Sequence, residues 1–172
     1  NQIQNIVPKP RGKVYSKCEL AEELRNRHHF PEEEISTWVC IAYHESRLDT
    51  SAVGRLNADG SGDHGLFQIS DLWWCSPHEV GKGCHSSCDQ FEDSDITDDV
   101  ACVRTIKAEH DRISGNGFTA WTVYNHHCSK NTDHYLSGCK GFSSKSSQVN
   151  TQGNTYVSKQ KPKKKVYNNI IS

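Results

Sequence analysis

Two neighbouring stretches decide the fold of this chain: residues 38–46, WVCIAYHES, and residues 62–69, GDHGLFQI. The first carries apolar side chains at helical spacing, and Ser36 just before it is a typical helix N-cap, so a helix is predicted there. The second follows residues 58–62, ADGSG, whose composition is typical of a tight turn between short extended segments. We therefore predict a small antiparallel hairpin sheet next to the helix.

Further helices are predicted on both sides of these two stretches. Apolar residues at helical spacing over 20–24 predict a helix that ends before Pro31. The acidic pair at 98–99 predicts the start of another, because negative charge is favourable at a helix N-terminus. A fourth helical segment is predicted around residues 120–124. Helices grouped around a small antiparallel sheet make an α+β domain.

The composition indicates a secreted domain held by disulfides. A chain of 172 residues is typical of one domain with an appendage. It has no apolar run of about 18 residues, which excludes a membrane-spanning helix. All eight cysteines lie between Cys18 and Cys139. An even and high number of cysteines favours an oxidising, extracellular location.

The net charge of −1 is an average over two unlike parts of the chain. Residues 140–172 hold seven Lys and no Arg, Asp or Glu, so they carry +7, and residues 1–139 carry −8. The basic part is rich in Ser, Asn and Gln and has too little apolar surface to repay the cost of ordering. We therefore predict a flexible leader over 1–12, a folded domain over 13–139 and a disordered basic tail over 140–172.

Two acidic residues, Glu45 and Asp63, lie in surroundings of opposite kind. Glu45 follows an apolar helical stretch, whereas Asp63 lies among Gly, Ser, Asn and Gln. An apolar site raises the pKa of a carboxyl and suits a general acid, and a polar site keeps its partner ionised. Such a split is how two carboxylates take the roles of acid and nucleophile.

From Lys13 to Cys139 the sequence resembles the c-type lysozymes, and its short loops are most similar to those of insect members. The matching segments, in chain order, are KVY at 13–15, CELA at 18–21, WVCIAYHES at 38–46, Asn57, GDHGLFQI at 62–69, WWC at 73–75, CHSSC at 84–88, IT at 96–97, Cys102 and AW at 120–121. The resemblance implies a lysozyme-like fold, with a helical lobe, a small antiparallel β-sheet lobe and four disulfides.

The resemblance also implies an activity, a secreted monomeric muramidase. Such enzymes hydrolyse the β-1,4 link between N-acetylmuramic acid and N-acetylglucosamine in bacterial peptidoglycan, and chitooligosaccharides are related substrates. Lysozymes are the type case of the retaining two-carboxylate mechanism, in which the carboxyl groups lie about 5 Å apart. In that mechanism Glu45 is the general acid and base, and Asp63 is the nucleophile or electrostatic stabiliser.

Six further residues are implied as the substrate-binding shell: Asn57, Gln68, Ser70, Trp73, Trp74 and Trp121. By the resemblance, Asn57 hydrogen-bonds the nucleophilic carboxylate, the adjacent tryptophans support sugar rings, and Trp121 packs beside the acid. Core packing is the alternative interpretation for each tryptophan. The chain also departs from the family pattern: Ser70 replaces an Asn, Tyr124 replaces a Trp, and residues 109–114 are an addition.

Residues 89–99, DQFEDSDITDD, hold five Asp and one Glu. Close carboxylates repel one another unless solvent or a cation intervenes, and calcium prefers six to eight oxygen ligands. The segment resembles the calcium elbow of α-lactalbumins and calcium-binding lysozymes. There the side chains of Asp93, Asp98 and Asp99 and the backbone carbonyls of Gln90 and Asp95 bind a structural calcium ion. The alternative is an acidic loop in front of a helix, without a metal.

Eight cysteines allow 105 pairings, and the sequence by itself does not choose among them. The resemblance implies the bridges Cys18–Cys139, Cys40–Cys128, Cys75–Cys88 and Cys84–Cys102. Zinc binding by Cys84, His85 and Cys88 is a weaker alternative.

The sequence also leaves two other functions open. One is a non-lytic, calcium-binding relative that acts as a binding or regulatory protein, as α-lactalbumin does. The other is an interaction protein whose lysine-rich tail contacts anionic cell walls, lipids or nucleic acid.

Overall fold

The computed structural model describes residues 12–54 and 57–142. The predicted leader and tail therefore lie outside the described residues, except for Gly12 and residues 140–142. The longer helices are α1, Lys17–Glu22, which continues as a π-helical turn over Glu23–Arg27, then α2, Glu32–Ser46, and α3, Thr97–Ser114. No helix in this part of the chain combines the length and hydropathy that crossing a bilayer requires.

A small sheet lies between α2 and α3 in the sequence. Its strands are β1, Val53–Gly54, β2, Asp63–His64, and β3, Ile69–Ser70, and they pair in chain order, all antiparallel. A second, parallel pair joins β4, Cys75–Ser76, to β5, Ser86–Ser87. Helices around a small antiparallel sheet confirm the predicted α+β class.

The start of α2 differs from the prediction, because the helix begins at Glu32, directly after Pro31. Three consecutive glutamates occupy its first turn, where negative charge is favourable. Ser36 is therefore not a cap. It is buried inside the helix, and its hydroxyl lies 2.8 Å from the Thr132 hydroxyl, which satisfies it.

The helical segment predicted around residues 120–124 is also not one continuous helix in the structure. The chain makes a 3₁₀ turn over Gly117–Ala120 and a π-helical turn over Tyr124–Cys128. Trp121 lies at the break with extended backbone angles, φ −100° and ψ 118°. The apolar spacing identified side chains that pack on the core, of which only Trp121 is buried, but it could not show that the backbone breaks between them.

Trp38 of α2 is the centre of the core and has no exposed surface. Its ring meets four others edge-on, at centroid distances of 5.0 to 5.7 Å: Phe30, Phe67, Phe118 and Trp121. Edge-on contacts are favourable between aromatic quadrupoles. The indole N–H donates to the Glu34 carboxylate at 3.2 Å, so its polar atom is also satisfied.

Four disulfides close the domain: Cys18–Cys139, Cys40–Cys128, Cys75–Cys88 and Cys84–Cys102. They are the same pairs that the family resemblance implies. Because Cys84 and Cys88 are both bonded, neither is a thiolate that could bind zinc, and the zinc alternative is wrong. Cys40–Cys128 joins α2 to the π-helical turn that follows Trp121.

Replacing Trp38 by alanine should lower the free energy of unfolding by about 3–5 kcal/mol, because a large core cavity replaces four ring contacts. Denaturant titration with the disulfides intact would measure it. Trp73→Ala is the matched control, since that side chain is 67% exposed and its loss should cost little. Equal losses in the two variants would contradict the central place of Trp38.

Candidate active site and calcium loop

Glu45 is the penultimate residue of α2, and it faces a cleft between the helices and the sheet. The cleft has a volume of about 180 Å³ and is lined by Glu45, Asp63, Gln68, Ile69, Ser70, Trp74, Ile106, Ala120, Trp121 and Thr122. The neighbouring Ser46 donates a hydrogen bond to the Leu66 carbonyl oxygen at 2.7 Å. That bond fixes the end of α2 against the segment between β2 and β3.

The surroundings of Glu45 change its chemistry. Burial, together with the smaller effect of the negative charge of Asp63, raises its pKa to about 7. Trp121, 5% exposed, lines the same cleft and is held by a hydrogen bond from its indole N–H to the Phe67 carbonyl oxygen at 3.1 Å. A carboxyl that keeps its proton near neutral pH is suited to donate it.

Asp63 lies on β2, paired with Gly54 of β1 and Ser70 of β3. The Asn57 side-chain amide donates to one of its carboxylate oxygens at 2.9 Å and also to the Ser61 hydroxyl at 3.1 Å. An amide donor supports a negative charge on the carboxylate. The two acids therefore differ as the sequence suggested: one is desolvated and the other is hydrogen-bonded.

Gln68 reaches the cleft with its backbone in the left-handed region, at φ 49°. Its side-chain amide donates to the Ala52 and Gly65 carbonyl oxygens, at 3.1 and 2.9 Å. A Cβ atom at position 54 would lie 2.8 Å from the Gln68 side-chain oxygen, so glycine leaves the space that the amide occupies.

The structure thus brings Glu45, Asp63, Gln68, Ser70, Trp74 and Trp121 to one cleft, with Asn57 one hydrogen bond away. Trp73 is not among the residues that line it, and 67% of its side chain is exposed.

His64, to which the sequence pattern assigns no role, is buried and follows Asp63 on β2. Its ring nitrogens lie 2.8 Å from a Glu92 oxygen and 3.2 Å from an Asp71 oxygen. Because carboxylates only accept, the ring donates to at least one of these two oxygens. Strand alternation predicts that His64 and Asp63 point to opposite faces, but nothing in the spacing identifies partners 7 and 28 residues away.

The acidic segment 89–99 closes around Asp99 in the first turn of α3. Asp99 is 1% exposed, and among the described residues neither carboxylate oxygen has a hydrogen bond of ordinary geometry; the backbone amides of Asp99 and Leu66 only partly support its charge. Burial, with the charges of Asp93 and Asp98 adding to it, raises its pKa well above the usual range. A buried carboxylate with incomplete hydrogen bonding is costly, and a bound cation would remove that cost.

Other residues of the segment shape the loop around this carboxylate. An Asp93 oxygen accepts from the Asp95 amide at 2.8 Å, and the Gln90 side chain accepts from the Ser87 amide at 3.0 Å. Gly65 approaches from the sheet at φ 77°; a Cβ there would overlap the Phe91 carbonyl oxygen and lie 3.0 Å from an Asp99 oxygen. Carboxylate and carbonyl oxygens are the donor types that calcium takes.

Comparisons with known proteins identify the family of this chain. Residues 13–139 match the model of the C-type lysozyme/alpha-lactalbumin family. A lysozyme from the insect Galleria mellonella is 39% identical over 117 residues, which are 67% of this chain and 91% of the relative.

Two solved structures are similar as well. A lysozyme from Litopenaeus vannamei has a TM-score of 0.69 at 36% identity, covering 74% of this chain and 98% of that one. A calcium-binding lysozyme from equine milk has a TM-score of 0.61 at 34% identity, covering 74% and 99%. The chain therefore belongs to the C-type lysozyme/alpha-lactalbumin family, and within it to the lysozymes, which are glycoside hydrolases.

Proposed function

We propose that this protein is a secreted muramidase that cleaves the β-1,4 link between N-acetylmuramic acid and N-acetylglucosamine in peptidoglycan, with retention of configuration. The observation that carries the proposal is the pair of unlike acids in one cleft: Glu45 with its pKa raised to about 7, and Asp63 held by the Asn57 amide. Two such carboxylates are what retaining glycosidases require. The non-lytic alternative is not favoured, because both acids line the cleft.

In the proposed reaction Glu45 donates its proton to the glycosidic oxygen as the bond to the anomeric carbon breaks. The Asp63 carboxylate attacks that carbon, or stabilises its positive charge, on the opposite face of the sugar. Glu45, now ionised, takes a proton from water, and the resulting hydroxide displaces Asp63. Both carboxyl groups return to their starting states, so the sum is hydrolysis of one link.

The substrate contacts follow from the same cleft. Trp74 offers a ring face for the apolar face of a pyranose. Gly83 packs against the Trp74 indole, and a Cβ at position 83 would lie only 2.6 Å from it. Gln68 and Ser70 supply polar groups beside Asp63, and the exposed Trp73 extends the aromatic surface beyond the cleft. Trp121 serves chiefly to exclude water from Glu45. We infer that the enzyme acts as a monomer.

We also propose a structural calcium ion at the acidic loop. Asp93, Asp98 and Asp99 would bind it through side chains, and Gln90 and Asp95 through backbone carbonyls. The buried carboxylate of Asp99, which has no hydrogen bond of ordinary geometry among the described residues, supports the proposal, as does the similarity to the calcium-binding equine lysozyme. A divalent ion would offset part of the negative charge of the domain. Because it would bind the native state and not the unfolded chain, it would raise the stability of the fold.

Glu45→Gln should lower the rate of wall hydrolysis by about 10²–10⁴-fold, because the proton donor is lost while the shape is kept. Clearing of a bacterial wall suspension measures this loss of rate. In the same assay, wild-type activity should fall as the pH rises above about 7, where Glu45 loses its proton. Glu33→Gln, exposed in the first turn of the same helix, is the matched control and should keep full activity. Full clearing by the Glu45 variant would contradict the assigned role.

Glu45→Gln should also stabilise the protein at high pH. A pKa raised from 4.5 to about 7 favours folding below pH 4.5, and this contribution is lost as the pH rises through 7. Glutamine does not titrate, so above pH 7 the variant should be more stable than wild type by about 3 kcal/mol. Melting temperatures from pH 4 to 8 test this; a difference independent of pH would refute it.

Calcium should raise the melting temperature of the wild-type protein and a chelator should lower it. At a calcium concentration 100-fold above the dissociation constant, the gain is about 2.7 kcal/mol. Asp99→Asn should abolish the response, whereas Asp133→Asn, exposed and far along the chain, should keep it. A wild-type protein that responds to neither calcium nor chelator would disprove the site.

A further inference from the structure

The added residues 109–114 do not form a loop; they lengthen α3, which runs to Ser114. This extension brings the ring of His110 to Trp74, with 6.5 Å between the ring centroids and 51° between the planes. Trp74 lines the cleft, and so does Ile106, one helical turn before His110. His110 is not itself among the lining residues, so the extension lies next to the cleft, on the side of Trp74.

The extension is held rigidly against the chain that leads into the active site. One Asp111 oxygen accepts from the Gly117 amide at 2.6 Å, and the other pairs with the Lys107 ammonium at 3.0 Å. The Ser114 hydroxyl lies 3.0 Å from the Thr119 hydroxyl, beside the cleft-lining Ala120. His110 is thus placed by a fixed element, as a binding residue must be.

The hydrogen bonding of His110 determines what its ring can offer to a ligand. Its Nδ1 atom lies 3.1 Å from the Ile106 carbonyl oxygen. A carbonyl oxygen only accepts, so Nδ1 carries the proton, and in the neutral ring Nε2 is an acceptor. The residue is half-buried, which limits the rotamers that it can adopt.

The distance between the rings of Trp74 and His110 limits how both could contact the same sugar. A pyranose held between two parallel rings needs about 7–8 Å, twice a van der Waals contact, and these rings are closer and tilted. A sugar therefore does not fit between the two rings, and His110 can reach a sugar on Trp74 only at its edge, where pyranose hydroxyl groups project. Trp74 supplies the apolar face and His110 the polar edge of one binding site.

We propose that His110 is a specificity-determining residue at the edge of the cleft, which accepts a hydrogen bond at Nε2 from an N-acetylhexosamine bound against Trp74. This inference rests on the proposed function, because it assigns a substrate contact to the same cleft. It gives residues 109–114 a role in binding that the catalytic pair does not supply. The extension then selects glycans long enough to reach Trp74 as well as Glu45.

The test compares His110→Ala, His110→Gln and Arg112→Ala on soluble chitooligosaccharides. Loss of one hydrogen bond should raise KM about threefold to tenfold in the alanine variant, with kcat within about twofold of wild type. Glutamine, whose terminal amide reaches about as far as Nε2, should restore most of the affinity. Arg112 is exposed on the same extension, and its loss should change neither constant.

A fluorescence titration of the same proteins with tri-N-acetylchitotriose separates binding from catalysis. We expect the dissociation constant of His110→Ala to rise by the same factor as KM. A wild-type enzyme that hydrolyses the glycan, with His110→Ala equal to it or His110→Gln as weak as alanine, would overturn the assignment. A wild-type protein that binds through His110 but hydrolyses nothing would instead refute the proposed function and leave this inference standing.

Discussion

The chemistry of this domain depends on one constraint, the removal of water from the Glu45 carboxyl. Burial is the main cause of its raised pKa, and the packing around Trp38 and Trp121 maintains the buried surface. The Trp121 indole is fixed by the Phe67 carbonyl, and the end of α2 is fixed by the bond from Ser46 to Leu66. Both bonds reach into the segment between β2 and β3, so the helices and the sheet position the acid together.

Three consecutive residues connect the two proposed sites. Asp63 faces the cleft, His64 is held between two carboxylates behind it, and Gly65 lies against the Phe91 carbonyl near Asp99. Strand alternation gives the first two opposite faces, and the absence of a side chain at the third lets the acidic loop approach. A short strand thereby links the proposed nucleophile to the proposed calcium loop.

Much of the fold could be predicted from the sequence, because apolar spacing and turn residues are local signals. The α+β class, the hairpin and the start of α3 near Asp98 all follow from such patterns. The start of α2 did not, since Ser36 has the chemistry of a cap but finds its partner, Thr132, far along the chain. The break at Trp121 was missed because burial fixes the side chain and leaves the backbone form open.

The candidate site, like the fold, could be predicted from the sequence only in part. Glu45 and Asp63 could be chosen for their unlike surroundings, and the family resemblance supplied the residues around them. The partners of His64 and the contact of His110 with Trp74 arise only when distant segments meet. No spacing rule in a single sequence carries that information.

The most direct test is a measurement of the ionisation of Glu45 itself, by NMR titration of its side-chain carboxyl carbon in the wild-type protein, with Glu45→Gln to assign the signal. We expect a pKa of about 7, lowered when Asp63→Asn removes the neighbouring charge. A value near 4.5, the ordinary value for a glutamate, would show that the cleft does not desolvate the acid and would contradict its role as proton donor.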